Sequence, residues 1–492
     1  MGEPVSGVEL ELAVPGTSQD HPGSFGSEAG PSTECLVSQP QEQVDWSLLP
    51  DVATTMIAAY LLPWQRGYMA MTCNNWNRAI MKSPHLWRTK DFRIHGNWRD
   101  SHHLSYVKSV GRHLKRVYCS FGFRSHRYPR RMQKLFTALL AELYRSGPVQ
   151  LLDLHVTSLQ FNRNFQTPEC DRARKGILKS LNRFLRRQTI LQTLDLSEDM
   201  LRVDEGVALL SSVSECSSAS LKMLYIDETF QQGAGVNADR SFVRIMGRFT
   251  KLVEVTVNYS CLSAELLSRL AASCSSTLEV LSITTHRHDN HEHTINRDAW
   301  VDFCEASPGT RVTLSMSGIV RMAAVYRILT PGMPLVSLRT FGHNDGGFHP
   351  DRTLRHLSRH FHHSIRKIVM DVGPVYHPYA RGLDCLIRNC SKLENLQIHG
   401  RISWPALRDV FDFLDEAYIK KGLRPSLTYF RVVITTIGFG QEEALVMEEF
   451  RPMFDQHNLN YELVFDPMYP LPLGPLVPVG GEEQVDDVIE VW

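Results

Sequence analysis

Residues 191–196 read Leu191-Gln192-Thr193-Leu194-Asp195-Leu196, an L-x-x-L-x-L pattern that the chain repeats. It recurs at Leu151-Leu154-Val156, Leu221-Leu224-Ile226, Leu252-Val255-Val257 and Leu278-Leu281-Ile283. Later copies are Ile365-Ile368-Met370, Leu393-Leu396-Ile398 and Leu427-Phe430-Val432. Weaker ones stand at Leu114-Val117-Cys119, Leu314-Met316, Leu335-Leu338 and Leu463-Phe465. Alternation of the last two apolar positions is the period of a strand, which sends those side chains inward and the residues between them outward. Recurrence every 25 to 40 residues or so signals a solenoid rather than a globule.

Between these strands lie apolar stripes at helical spacing: Leu135, Leu139, Leu140 and Leu143; Ile177, Leu178, Leu181, Phe184 and Leu185; Leu262, Leu266, Leu267 and Leu270. A strand followed by a helix, many times over, requires parallel strands with the helices behind them. The arrangement resembles the leucine-rich-repeat family, most closely over Leu191–Leu201 and Leu252–Leu262. It departs where that family places a buried ladder Asn, with Asp199 in one copy and Ser260 in the other. An ordinary doubly wound domain is the competing reading, but about a dozen candidate strands exceed the ~10 of a typical open sheet. The expected fold class is therefore α/β, a short all-α module followed by a curved solenoid with parallel strands. Its open sheet face suits a macromolecule better than a small substrate. The outward positions Asp195, Tyr225, Asp227, Thr256, Asn258, Ser282, Thr284, Gln397 and His399 are the candidate target-binding residues, although any solvated sheet face would be similarly polar.

Four regions follow from composition. Residues 1–43 are rich in Gly, Ser, Pro, Glu and Gln and too poor in large apolar side chains to offset ordering entropy. Residues 44–92 are aromatic-rich and helical in pattern, 93–466 carry the repeat, and 467–492 are a Pro-rich linker with an acidic tail. In the second region Pro50 can open a helix on which Met56, Ile57, Tyr60 and Leu61 share one face. Pro63 breaks it, a second helix spans Arg66 to Thr72, and a third runs through Trp76 and Ile80 to Met81. So short a module cannot hide Leu48, Leu49, Trp64 and Trp87 together, which predicts a partner.

This stretch resembles an F-box, on Leu49-Pro50-Asp51, Ile57 with Tyr60-Leu61, Pro63 with Arg66, Cys73-Asn74-Asn75-Trp76 and Pro84-x-Leu86-Trp87. It departs at Val52, where that family commonly has Glu, and at Thr54, where it has an aliphatic residue. The resemblance implies docking onto Skp1 and, through it, a cullin-RING ubiquitin ligase, while the repeats hold a protein target. By position, Leu49, Pro50, Ile57 and Leu61 would line the Skp1 contact, with Trp76 and Trp87 holding the helices together. Together with irregular repeats such as LVEVTVNYSCLSAELL (252–267), the module is similar to one branch of metazoan F-box-only proteins. The rival readings are a helical cap on a scaffold or inhibitor that joins no ligase, and a metal-dependent hydrolase using the His clusters.

Other function classes are excluded or disfavoured. Lys+Arg 53 balances Asp+Glu 53, so no global field draws the chain to nucleic acid or membrane, and no apolar run reaches the length of a bilayer span. The start carries no secretory signal, and ten unpaired-looking Cys fit reduced thiols in the cytoplasm or nucleus. His286, His288, His291 and His293 crowd after one strand, and His356, His360, His362 and His363 follow another. Alternating His in one loop seldom closes a tetrahedral metal site, so neither a metal nor any other cofactor is expected. The basic stretches 112–131 and 172–187 read as solvated faces. No phosphate-loop, dinucleotide or nucleophile-elbow motif occurs, and catalysis is not expected.

Overall fold

A computed structural model gives the fold. It describes residues 45–465, apart from 96–100, 123–128, 146–148, 166–167, 290, 320, 342–347, 372–379, 401–403, 420–426, 435–447, 453 and 456–459. The N-terminal segment and acidic tail read from composition lie outside the described residues. Residues 1–50 and 51–492 form two compact units. In the first, a 3-10 turn spans Trp46–Leu48, and the Asp45 side chain accepts from the Ser47 amide at its start.

The second unit opens with three helices: α1 (Asp51–Tyr60), α2 (Pro63–Thr72) and α3 (Asn74–Lys82). Pro63 separates the first two, because a residue preceding proline avoids the helical region; Leu62 sits extended at φ −66°, ψ 153°. Ala58, Met69, Ala70, Ile80, Leu86 and Trp87 form the module core, joined by Val110. The Arg66 guanidinium donates to Ala58 O (2.9 Å), Ala59 O (3.3 Å) and Leu86 O, fastening the frayed C-terminal carbonyls of α1 to the turn at Pro84–Trp87. The Trp87 indole N–H donates to Ile80 O at 2.8 Å.

Thirteen strands follow among the described residues: β1 (Thr89–Ile94), β2 (Arg116–Phe121), β3 (Asp153–Thr157), β4 (Thr193–Asp195), β5 (Met223–Ile226), β6 (Glu254–Asn258) and β7 (Val280–His286). The row continues with β8 (Arg311–Ser317), β9 (Leu335–Phe341), β10 (Lys367–Asp371), β11 (Asn395–Gly400), β12 (Tyr429–Ile434) and β13 (Asn460–Phe465). They make one sheet in chain order, each strand parallel to the next. Between them lie α4 (Ser101–Val110), α5 (Pro129–Arg145), α6 (Phe161–Asn164), α7 (Pro168–Leu185), α8 (Val203–Ser217), α9 (Arg240–Met246) and α10 (Ala264–Cys274). The later helices are α11 (Arg297–Ala306), α12 (Met322–Ile328), α13 (Pro350–His360), α14 (Ala380–Asn389) and α15 (Trp404–Ile419). Strand order equal to chain order is the definition of a solenoid, in which each repeat packs on its neighbours. The protein is thus an α/β solenoid behind a short helical module.

The repeat's central apolar residue sets the register. Leu154, Leu194, Leu224, Val255 and Leu281 are Cα partners across consecutive strands, and all are fully buried. They pack with the helix stripes, including Leu139, Leu181 and Leu270, in one continuous core. Where a ladder Asn was missed in the sequence, Asp199 is fully buried; one oxygen accepts from the Leu159 amide at 3.0 Å and the other has no partner. Burial, reinforced by Asp195 and Glu198, raises its carboxyl well above the usual carboxylate range. No helix among the described residues is long and apolar enough to cross a membrane.

Candidate functional site

Two surfaces could carry function. The first is on α1 and α2. Fourteen large hydrophobic side chains are exposed among the described residues, and eight of them lie between Val52 and Met71. On α1 the spacing places Met56, Ile57 and Tyr60 on one side, with Tyr60 90% exposed. On α2, Trp64 and Tyr68 meet edge to face at 5.9 Å and Met71 is 71% exposed. Helix spacing aims these residues away from the Ala58 and Met69 side, which fills the module core. A concentration of apolar surface this local marks contact with another macromolecule.

Of the four residues assigned by resemblance to the Skp1 contact, Ile57 is exposed, whereas Leu61 is half-buried against the module core. Leu49 and Pro50, in the first unit, are half-buried and exposed respectively. Trp76 is half-buried and packs against the module core. Of Leu48, Leu49, Trp64 and Trp87, which so short a module cannot hide together, Trp87 is covered: it is 3% exposed, because α4 extends the small core, with Tyr106 packing edge-on at 5.9 Å.

The second surface is the sheet face opposite the helices. Asp195, Tyr225, Asp227, Thr256, Ser282, Thr284, Gln397 and His399 all lie there, half-buried. Asn258 does not behave as a free surface residue. It is 4% exposed, its Oδ1 accepts from the Ser260 amide (2.8 Å) and its Nδ2 donates to Asp289 Oδ2 (2.9 Å), so it builds the turn that ends β6. The remaining candidates form two groups. Gln397 and His399 sit on β11, with Gln397 bonded to Asn395 and His399 3.7 Å from Asp371. The others gather over β4 to β7.

That second group is larger than sequence reasoning listed. Register aligns Tyr118, His155, Asp195, Tyr225 and Thr256 in one row across β2 to β6. Tyr118 and His155 stack at 4.4 Å, and His155 Nδ1 lies 3.0 Å from Asp195 Oδ2. Farther along, His286 reaches Asp227 (3.3 Å) and Glu228 (3.6 Å), while the Thr284 hydroxyl donates to Asp227. Burial opposes charge on His286, yet the bond to Asp227 and the charges of Glu228 and Asp289 outweigh it and lift the imidazole to about 8. Burial, together with Asp227 and Asp289, raises Glu228. Tyr225 is pushed up to about 12 by burial, then by Glu254 and Asp195. Tyr118 and His155 occupy the same outward slot of the repeat as Asp195, and Glu254 the outward slot two residues before it; those slots were the signal by which the sequence could have revealed them.

Two of the clustered His bond to backbone carbonyls. His293 Nε2 lies 3.1 Å from Tyr259 O with its ring stacked on Tyr259, and His356 Nε2 lies 2.8 Å from Leu329 O. No group of three or more His, Cys, Asp or Glu placed to hold a metal occurs among the described residues. In the basic stretch of α7, Arg174 is buried and grips Glu205 of α8, with Nε donating to Oε1 at 2.8 Å. Lys175 pairs with Asp171, Arg186 donates to Ser212, and Arg187 lies over Tyr144 at 3.7 Å. Arg172, Lys175, Lys179 and Arg183 stand exposed at helical spacing along the outer side of α7, opposite the buried Ile177 and Leu181.

No family model matches the chain. Among solved structures, it is similar to the leucine-rich repeat-containing protein LegL7 from Legionella pneumophila. That match has 10% identity and a TM-score of 0.36, over 74% of this chain and 98% of that one. It is also similar to a chain of the TLR13–ssRNA13 complex, at 11% identity and a TM-score of 0.30, over 57% of this chain and 37% of that one. Both likenesses are distant, and the solenoid assignment rests on strand order and register.

Proposed function

We propose that the chain is a non-catalytic protein-interaction adaptor, and specifically the substrate-recognition subunit of a Skp1–cullin–F-box ubiquitin ligase. In this reading the helical module docks Skp1 and the solenoid holds a protein target. The observation that carries it is the apolar face of α1 and α2, where Ile57, Tyr60 and Trp64 stand exposed among the described residues. Burying such aromatic and aliphatic anchors is what a stable interface needs, and the F-box resemblance names the partner. The ligase role is then one of proximity, since tethering a target beside a charged conjugating enzyme raises its effective concentration.

Co-purification with Skp1 tests the reading. Ile57→Asp with Tyr60→Asp should weaken capture at least tenfold and leave the helical circular dichroism unchanged, because both side chains are already in solvent. Undiminished capture by the double variant, or none by the wild type, would favour a scaffold that joins no ligase.

A further inference from the structure

We propose that the open sheet face over β3 to β7 recognises a Lys- and Arg-rich segment of the partner protein, with one guanidinium seated over Asp195 between the rings of His155 and Tyr225. This deepens the reading of the solenoid as a target-holding surface and rests on it.

Charge makes the first selection. The outward positions of β3 to β7 carry Asp153, Asp195 and Glu254, Asp227 and Glu228 follow β5, and no Lys or Arg occupies an outward position on these five strands. Asp153 is offset by Arg116 at 2.8 Å, Asp195 lies 3.0 Å from His155 Nδ1 and accepts from the Ser197 amide at 2.9 Å, and Asp227 and Glu228 share His286. Glu254 and the nearby Glu198 have no basic side chain within ion-pair distance among the described residues. A face of this sign repels phosphate backbones and attracts cationic peptides.

The aromatic row supplies the second selection. The rings of His155 and Tyr225 lie nearly parallel, 24° apart with centroids 6.5 Å apart, and Asp195 is the residue between them in register. A planar guanidinium stacks on such rings while its N–H groups reach the carboxylate, a geometry in which Arg gains more than a simple cation. A third observation is independent of the acids. Thr193, two residues before Asp195 and on the same side of β4, is 2% exposed, and its hydroxyl has no hydrogen-bond partner. It lies in the row of Asp153 and Met223, a buried hydroxyl without a partner beside the acidic row. From β3 to β7 the face spans four strand spacings, about 19 Å, the length of roughly six extended residues.

The test uses the full chain and a fluorescein-labelled octapeptide of alternating Arg and Lys, with an octapeptide of Glu as control, followed by fluorescence anisotropy. The basic peptide should bind, at least tenfold more weakly at 300 mM than at 50 mM salt, and the Glu peptide should not; this salt range is on the order of a halving of the Debye length. Asp195→Asn with Glu254→Gln should lower affinity at least tenfold. Tyr225→Ala, which changes no charge, should lower it at least threefold, and Asp298→Asn on α11 should leave it unchanged. Equal loss from Asp298→Asn, no loss from Tyr225→Ala, or equal binding of the Glu peptide would each overturn the proposal. Skp1 capture by the same variants is read in parallel, so a chain that holds Skp1 but ignores the basic peptide sinks this inference and leaves the docking reading standing.

Discussion

Replacing Asp199 by Asn removes one ionisable group at nearly constant volume, and the structure fixes how stability should respond. Asp199 is fully buried, accepts one backbone bond through Oδ1 and leaves Oδ2 without a partner. Its folded carboxyl titrates well above the ordinary value of 3.8. Between those two values the native state holds a proton that the unfolded chain has released, so wild-type stability must fall as pH rises through this window and stay flat below it. The slope is about 1.4 kcal/mol per pH unit. Near pH 4 the two proteins should be of similar stability, because the Asn amide standing at Oδ2 lacks an acceptor just as the acid proton does. From pH 4.5 to 5.5 the variant should gain about 1.4 kcal/mol on the wild type, or about 0.5 M in urea midpoint for an m-value near 3 kcal/mol/M. Urea unfolding at both pH values, followed by circular dichroism, measures the gap directly, and other titrating groups cancel in the difference. Midpoints that stay a constant distance apart would refute the account, since Asp199 would then be ionised inside the fold.

Other outcomes follow from the packing. Trp87→Ala should cost about 3–5 kcal/mol, the range for deleting a buried Trp, and should expose the module to protease before the solenoid; equal protease lifetimes would show that the indole holds nothing together. Glu205→Gln strands the buried Arg174 guanidinium and should cost about 3–5 kcal/mol, whereas Arg174→Met with Glu205→Leu should recover most of that in thermal melts.

The solenoid was legible because a leucine lattice imposes one inward position per strand, and residues such as Leu194 and Leu281 cannot be placed any other way. β1 was not legible because Lys90 stands at the central position that Val117 and Leu154 fill in the next two strands, and its Phe92 and Ile94 follow directly on a helical, aromatic stretch. The module's helices were readable from Pro63 and the Met56-to-Tyr60 spacing. What closes over Trp87 was not, since Tyr106 and Val110 come from beyond the stretch that looked like a module. Asn258 misled for a similar reason: strand parity points it outward, but the amide's own bonds to Ser260 and Asp289 fold the following turn over it. Stacking of Tyr118 on His155 depends on pairing across a long insertion, which no local pattern encodes.

The carbonyl of Arg88, the residue after Trp87, already accepts from the Lys115 and Arg116 amides, so the helical module runs straight into the first strand pair. A module joined this way has no swinging arm. Under the proposed function, a partner on the helices would stand at a fixed stand-off from a target on the sheet, and that distance would change only by adding or removing whole repeats, in steps of about 4.8 Å. Reach in such a molecule is counted like rungs rather than tuned like a tether.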